Sequence, residues 1–211
     1  SRAIEDGDRI HGIINGMAFN NNGSSGSYTQ SSVEDIKKVV AAAVKDAGID
    51  VGDIKYLVGE GYPHKLEEGL EVAGLIAGFG QFTNKKQFCG MGSISANVGY
   101  LQSAIGVFNS IKVLLAMKNK TIPPLYHFVS PTDMVNLCKS PFYVSDMPKS
   151  WECPANKERQ AAVYSYGYGG TNMMLMFKEA AKREKNRKEE RESVFVLSAK
   201  STISCALFLR R

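Results

Sequence analysis

Gly92-Ser-Ile-Ser-Ala-Asn-Val-Gly-Tyr-Leu-Gln-Ser-Ala-Ile-Gly106 is a glycine- and serine-rich loop that runs directly into an apolar helix. Leu101, Ile105, Phe108, Ile111, Leu114 and Leu115 recur through that helix at positions expected to form its buried side. Thr121-Ile-Pro-Pro124 stops it, because proline lacks the N–H a helix needs and clashes with the preceding turn. Upstream of the loop, Gln87–Cys89 reads as a strand. Downstream, Gln160–Tyr166 and Met173–Phe177 read as paired central strands around the turn Gly167-Tyr-Gly-Gly170.

The flanks continue the alternation. Arg9–Asn20 reads as a buried strand that ends in Asn20-Asn-Asn-Gly23. Ser31 and Glu34 fit a capping box for a helix carrying Ile36, Val39, Val40, Ala43, Val44 and Ala47, with Gly48 placed to end it. Ile54–Val58 is a short buried strand, Gly59–Lys65 a loop, and Glu67–Phe79 a helix. Gly69, Gly74 and Gly78 lower that helix's propensity, so close packing is their expected purpose. The stretch to Arg159 is rich in proline, with a strand expected at Phe142–Val144 and Trp151 assigned to packing. A charged helix and a strand at Val194–Leu197 follow. Strands alternating with helices indicate an α/β architecture.

Composition narrows the function classes. The 211 residues, 44% hydrophobic and 22% charged, suffice for one globular core. The net charge of +5 arises largely between Lys178 and Arg191, where Glu179, Glu184, Glu189 and Glu190 are interleaved. That pattern is a solvated helix face, so no nucleic-acid partner is expected. No apolar run approaches the roughly 20 residues of a membrane span. Cys89, Cys138, Cys153 and Cys205 lack metal or redox spacing. They are expected to be reduced thiols in a cytoplasmic protein, Cys89 and Cys138 buried. The polar, acidic start without Met reads as a chain cut from something longer.

Four segments, in order, resemble the ketosynthases of modular polyketide synthases. Asp8-Arg-Ile-His-Gly-Ile-Ile-Asn-Gly-Met-Ala-Phe-Asn-Asn-Asn-Gly23 is similar to the strand and loop that open the family's second half. Gly92–Gly106 resembles its Gly-Ser-Ile-Lys-(Ser/Ala)-Asn-(Ile/Val)-Gly-His-Leu-Glu motif, and Lys112–Pro124 the helix and stop after it. Ser165-Tyr-Gly-Tyr-Gly-Gly-Thr-Asn172 resembles Ser-Phe-Gly-Phe-Gly-Gly-Thr-Asn. The resemblance implies a thiolase-like fold, of which this chain is the second, C-terminal half, a mixed sheet covered by helices. It divides the chain into a ketosynthase half (1–177), a charged helix and the start of a linker (178–200), and a tail (201–211).

The resemblance also assigns positions. Ketosynthases form a thioester on a cysteine, decarboxylate a malonyl thioester and join the resulting carbanion to the acyl group. Two histidines ordinarily donate hydrogen bonds to the enolate. Glu60 stands at the first histidine, Tyr100 at the second, and Ser95 at the motif lysine. Ionised, Glu60 cannot donate a hydrogen bond; a buried, protonated Glu60 could, but only with a large upward pKa shift, and a solvent-facing loop glutamate is the expectation. Tyr62 and His64 replace threonines that line the pantetheine path, and Tyr100 is expected to fill the vacated space. Tyr168 and Gly169 occupy the turn of the oxyanion hole and gate. The nucleophilic cysteine belongs to the first half. No metal or bound cofactor is implied; substrates would ride on the phosphopantetheine of acyl carrier protein. The missing N-terminal half and a ketosynthase dimer are the other implied partners. The expectation is a condensation-incompetent ketosynthase fragment, at most transacylating when full length. Its alternatives are a non-catalytic scaffold or partner subunit, and a truncated gene remnant.

Overall fold

The computed structural model describes residues 2–24, 28–29, 31–131, 133–180, 198 and 200–201. The chain divides into a unit Ser1–Ala181 and a second, Lys182–Arg211. The described helices and strands all belong to the first unit. The strand expected at 194–197, nearly all of the charged helix and Cys205 lie outside the described residues.

The elements run α1 (Arg2–Glu5), β1 (Ile13–Asn21), α2 (Val33–Ala47), β2 (Ile54–Gly59), α3 (Lys65–Phe79), β3 (Cys89–Ser93), α4 (Ser95–Val98), α5 (Ile105–Asn119), β4 (Thr121–Ile122), β5 (Phe142–Tyr143), β6 (Lys149–Ser150), β7 (Gln160–Gly167) and β8 (Thr171–Lys178). Six strands form one sheet in the order β1-β8-β7-β2-β3-β5; β4 and β6 pair separately. β1, β8 and β7 are antiparallel neighbours, while β7, β2, β3 and β5 run parallel. The sheet is therefore mixed, as expected.

Helices cover both faces. On one, Ile36 and Val40 of α2 and Leu75 and Phe79 of α3 pack on Ile54, Leu57, Tyr164, Met174 and Met176. Gly74 and Gly78 make that helix pair close: a Cβ at either would lie 2.6 Å from Ile36 or 2.7 Å from Val40. Their cost in helix propensity is thus offset by packing. On the other face, Val113 and Met117 of α5 pack on Tyr56, Val58, Ala161, Val163 and Phe177, with Trp151 buried edge-on against Tyr56.

Several expectations are corrected. α5 buries Ile105, Asn109, Lys112, Val113, Ala116 and Met117, whereas Phe108, Ile111 and Leu115 point outward. Two polar side chains replace the apolar stripe on the inner face because they hydrogen-bond to the loops beneath. β1 is not buried; it is an edge strand with Ile14, Met17 and Phe19 exposed. The cap of α2 lies one residue later than expected. Ser32 Oγ accepts from Asp35 N and donates to Asp35 Oδ2, while Ser31 Oγ donates to Asn22 and Asn172. Gly48 ends α2 in the left-handed conformation, as expected. Cys89 is buried but Cys138 is exposed. Among the described residues, no helix is long and apolar enough to cross a membrane.

Candidate functional site

β2 ends at Gly59 between two parallel neighbours, and the chain leaves the sheet through Glu60. Gly61 turns with φ +64°, where a Cβ would lie 2.1 Å from Ser93 Oγ, so this position requires glycine. The turn directs the Glu60 side chain back over β7. Its Oε1 accepts from Ser165 Oγ at 2.7 Å and from the Tyr166 N–H at 2.8 Å; Tyr100 OH donates to Oε2 at 3.4 Å. Glu60 is 0% exposed, so the solvent-facing reading is wrong. The strand end and β7, 105 residues away in sequence, enclose it.

The adjoining backbone is held from two sides. Glu71 Oε1, on α3, accepts the Glu60 N–H at 2.8 Å. Ser93 Oγ and Ser95 Oγ both donate to the Glu60 carbonyl, at 3.1 and 2.7 Å. From α5, Asn109 donates to Gly59 O at 2.8 Å and accepts from Ile94 N at 3.2 Å. Lys112 Nζ donates to Ser93 O at 2.7 Å and Asn97 Oδ1 at 2.9 Å. Ser95 carries no charge, yet a buried cation sits close behind its loop.

Burial controls the electrostatics. It pushes the Glu60 carboxyl up to about 7, against the opposing pull of Ser165, the Tyr166 N–H and Tyr100. Burial and the neighbouring Glu60 charge push Glu71 up to about 8, although the Glu60 and Gly61 N–H groups favour its anion. Desolvation lowers Lys112 to about 8. It also raises the Tyr62 and Tyr100 phenols, so both remain neutral donors at ordinary pH.

Aromatic rings roof the cluster. Tyr62 and Tyr100 lie with ring centroids 5.8 Å apart, and Tyr100 is also hydrogen-bonded to Tyr168. Tyr168, 45% exposed, packs on Tyr28 at 5.7 Å, and the Gly169 N–H donates to Tyr28 O at 3.0 Å. Glu60, Ser95, Tyr100, Tyr62 and Tyr168 are therefore joined by contacts, with Tyr62, Ser95 and Tyr100 lining one cavity and Glu60 sealed beneath them. His64 does not join them: it is exposed at the N-terminus of α3 and makes no side-chain capping bond. Beside Tyr62 and Tyr100 opens a cavity of about 540 Å³, which Lys65, Glu68 and Leu125–Ser130 also line. Among the described residues, no group of three or more His, Cys, Asp or Glu could hold a metal ion.

The glycine turn that completes the site is fixed by side chains. Asn172 Nδ2 donates to Asn20 and Asn22, both at 2.8 Å, while Tyr164 OH donates to Asn172 Oδ1 at 2.8 Å. Gly169 and Gly170 have φ +95° and +102°, which side-chain-bearing residues rarely adopt. Glu71, Asn109, Lys112 and Ser165 escaped the sequence reading. For Glu71 a signal existed, since it shares a helix face with Gly74, Leu75 and Gly78, all buried.

A doubly covered mixed sheet, with its glycine turn and two small-residue loops converging at one end, defines a thiolase-like ketosynthase half. Residues 11–129 match the beta-ketoacyl synthase family in its C-terminal domain, and the chain belongs to that family. It is 35% identical over 201 residues to polyketide synthase PksL of Bacillus subtilis (strain 168), covering 94% of this chain and 4% of that one. It is 34% identical over 178 residues to polyketide synthase ThaG of Burkholderia thailandensis, covering 84% of this chain and 3% of that one. Among solved structures, the ketosynthase from module 6 of the bacillaene synthase of Bacillus subtilis 168 superposes with a TM-score of 0.83 at 32% identity, covering 99% of this chain and 36% of that one. Ketosynthase twelve of the bacillaene polyketide synthase in Bacillus amyloliquefaciens gives 0.80 at 28% identity, over 87% and 33%. The chain thus spans about a third of these ketosynthases and a small part of the synthases.

Proposed function

We propose that this chain is part of a ketosynthase domain that holds and passes acyl thioesters but does not elongate them. The observation that carries this reading is the environment of Glu60. Its carboxyl accepts hydrogen bonds from Ser165, the Tyr166 N–H and Tyr100, all groups of its own chain. An enolate needs donors at that point; ionised or protonated, the Glu60 carboxyl is already engaged by Ser165, the Tyr166 N–H and Tyr100, so it offers none outward. Tyr100, which the resemblance sets at the other histidine position, has its hydroxyl engaged by Glu60. Transacylation needs only a nucleophile and an oxyanion hole. The 540 Å³ cavity beside Tyr62 leaves room for a carrier-borne pantetheine arm. On this reading acyl carrier protein is the partner and the cytoplasm the setting.

The test uses the complete domain with its nucleophilic cysteine and carrier-bound substrates. Acyl loading is expected to proceed while carbon dioxide release from malonyl carrier stays about 10²–10⁴-fold below that of a Glu60→His/Tyr100→His/Ser95→Lys variant, with Tyr62→Thr to widen the path. Release from the unmodified domain at the variant's rate would sink the reading. A scaffold without catalysis is the second reading, favoured by the bulk of the Tyr62–Tyr100 ring pair where the resemblance expects a threonine. Failure to load acyl groups at all would select it.

A further inference from the structure

Two carboxyl groups meet around one peptide unit. Glu71 Oε1 accepts the Glu60 N–H at 2.8 Å, and it lies so close that a Cβ at Gly59 would be 2.1 Å from it. The Glu60 carboxyl is held on the other side by β7 and Tyr100. The two residues are 0% and 4% exposed.

The surroundings contain donors but no counter-charge. β7 presents the Tyr166 N–H and Ser165 hydroxyl to Glu60 and the Tyr164 ring, its hydroxyl turned to Asn172, while the loop itself presents Tyr62. α3 carries Lys65 and Glu68 further out, at the wall of the cavity. α5 contributes Lys112, whose ammonium is directed to Ser93 O and Asn97 Oδ1. None of the ion pairs among the described residues includes Glu60 or Glu71. Like carboxylates desolvated together cannot both ionise without strong mutual opposition, so they titrate as a pair.

We propose that Glu60 and Glu71, buried on either side of one peptide unit, titrate as a coupled pair that holds one proton between them at neutral pH, and that this pair is a pH-sensitive latch on the Gly59–His64 segment. With the proton in place, the segment stays seated on β7 and Tyr100. With both carboxyls ionised, their repulsion drives the segment off Glu71. Tyr62 moves with it, and because Tyr62 and Tyr100 wall the cavity, the cavity mouth responds to pH. Burial raises both carboxyls, to about 7 and about 8, which puts the transition in the neutral-to-alkaline range. The latch stands on the fold alone, whether or not the cavity takes a thioester.

The experiment uses the full 211-residue chain. Infrared absorption of protonated carboxyl groups is followed from pH 5 to 10 in wild type, Glu60→Gln and Glu71→Gln. Hydrogen exchange of the 58–66 peptide is recorded on the same samples, normalised to α2. Both readouts work on associated protein. Wild type is expected to retain a protonated carboxyl well above the ordinary carboxylate range. In each variant the remaining carboxyl should titrate about one unit lower, a tenfold change in its acid constant. The 58–66 peptide should exchange roughly tenfold faster above the second ionisation in wild type alone. A remaining carboxyl whose midpoint ignores loss of its partner overturns the pair, and a peptide with unchanged normalised exchange overturns the latch. Should Glu71→Gln fail to fold, Glu60→Gln decides both. Acyl loading is not measured, so this proposal and the functional one fail separately.

Discussion

Replacing Glu60 by Gln tests how the site's charge bears on stability. The amide keeps an oxygen for Ser165 Oγ and the Tyr166 N–H, and turns its NH₂ toward the Tyr100 oxygen. Burial raises the native Glu60 carboxyl from 4.5 to about 7. A group whose folded value is raised in this way binds more protons in the native than in the unfolded state between those limits. Its contribution is therefore fully present below about pH 4.5 and is lost as pH rises through 7. At about 1.4 kcal/mol per unit, ionised Glu60 costs about 3 kcal/mol at pH 8 relative to its neutral form. Glu60→Gln should thus match wild type within about 1 kcal/mol at pH 5 and exceed it by about 3 kcal/mol at pH 8. Urea unfolding of both proteins at the two pH values measures this directly, with equal m-values required for the comparison. A Gln variant that is equally destabilised at both pH values would show that the native carboxyl is ionised and fully stabilised by its three donors, refuting the reasoning.

Other positions give sharper single-residue tests. Asn109→Leu removes two hydrogen bonds and leaves the Gly59 carbonyl and Ile94 N–H without it; a loss of about 2–5 kcal/mol in chemical denaturation is expected. Tyr56 OH is buried and has no hydrogen-bond partner among the described residues, so Tyr56→Phe should raise the melting temperature by the few degrees that about 1 kcal/mol brings. His64→Thr should add the missing side-chain cap to α3, a gain of about 1 kcal/mol by denaturant titration. The exposed apolar face of α5 is expected to drive self-association, so Ile111→Lys with Leu115→Lys should lower the apparent mass in sedimentation; an unchanged mass would show that this face drives none.

The alternation of periodic segments made the architecture legible, because strands and helices here leave local signatures. Gly48 ends α2 for a backbone reason that needs no tertiary context, whereas α5 ends earlier than its prolines, at Asn119, with Lys120 left-handed and β4 in between. The orientation of α5 was not legible. Phe108, Ile111 and Leu115 make an apolar stripe, and a stripe alone does not say which side faces the sheet. Asn109 and Lys112 were the contrary signal, since polar residues on an inner face require partners, here Gly59 O and Ser93 O. Glu60 was found as a position but misread as an environment. Its burial depends on β7, on Tyr100 and on the turn at Gly61, and the contacts to β7 and Tyr100 are distant in sequence.

These contacts bear on what the substitutions mean together. A single replaced histidine would leave a gap, an unsatisfied donor or a stranded charge. On the proposed reading, which sets Glu60 and Tyr100 at the two histidine positions, these residues contact each other, Ser95 binds the Glu60 carbonyl, and Tyr62 packs on Tyr100. Each replacement is satisfied by another, as a coupled network requires. Restoring one histidine alone therefore works against the others. An imidazole at position 60 has one acceptor nitrogen at most, so it cannot receive both Ser165 Oγ and the Tyr166 N–H, and it would still lie beneath the Tyr100 ring. The interaction energy between Glu60→His and Tyr100→His should accordingly be favourable, the double variant being more stable than the sum of the separate effects implies, because contacting residues in one network do not add.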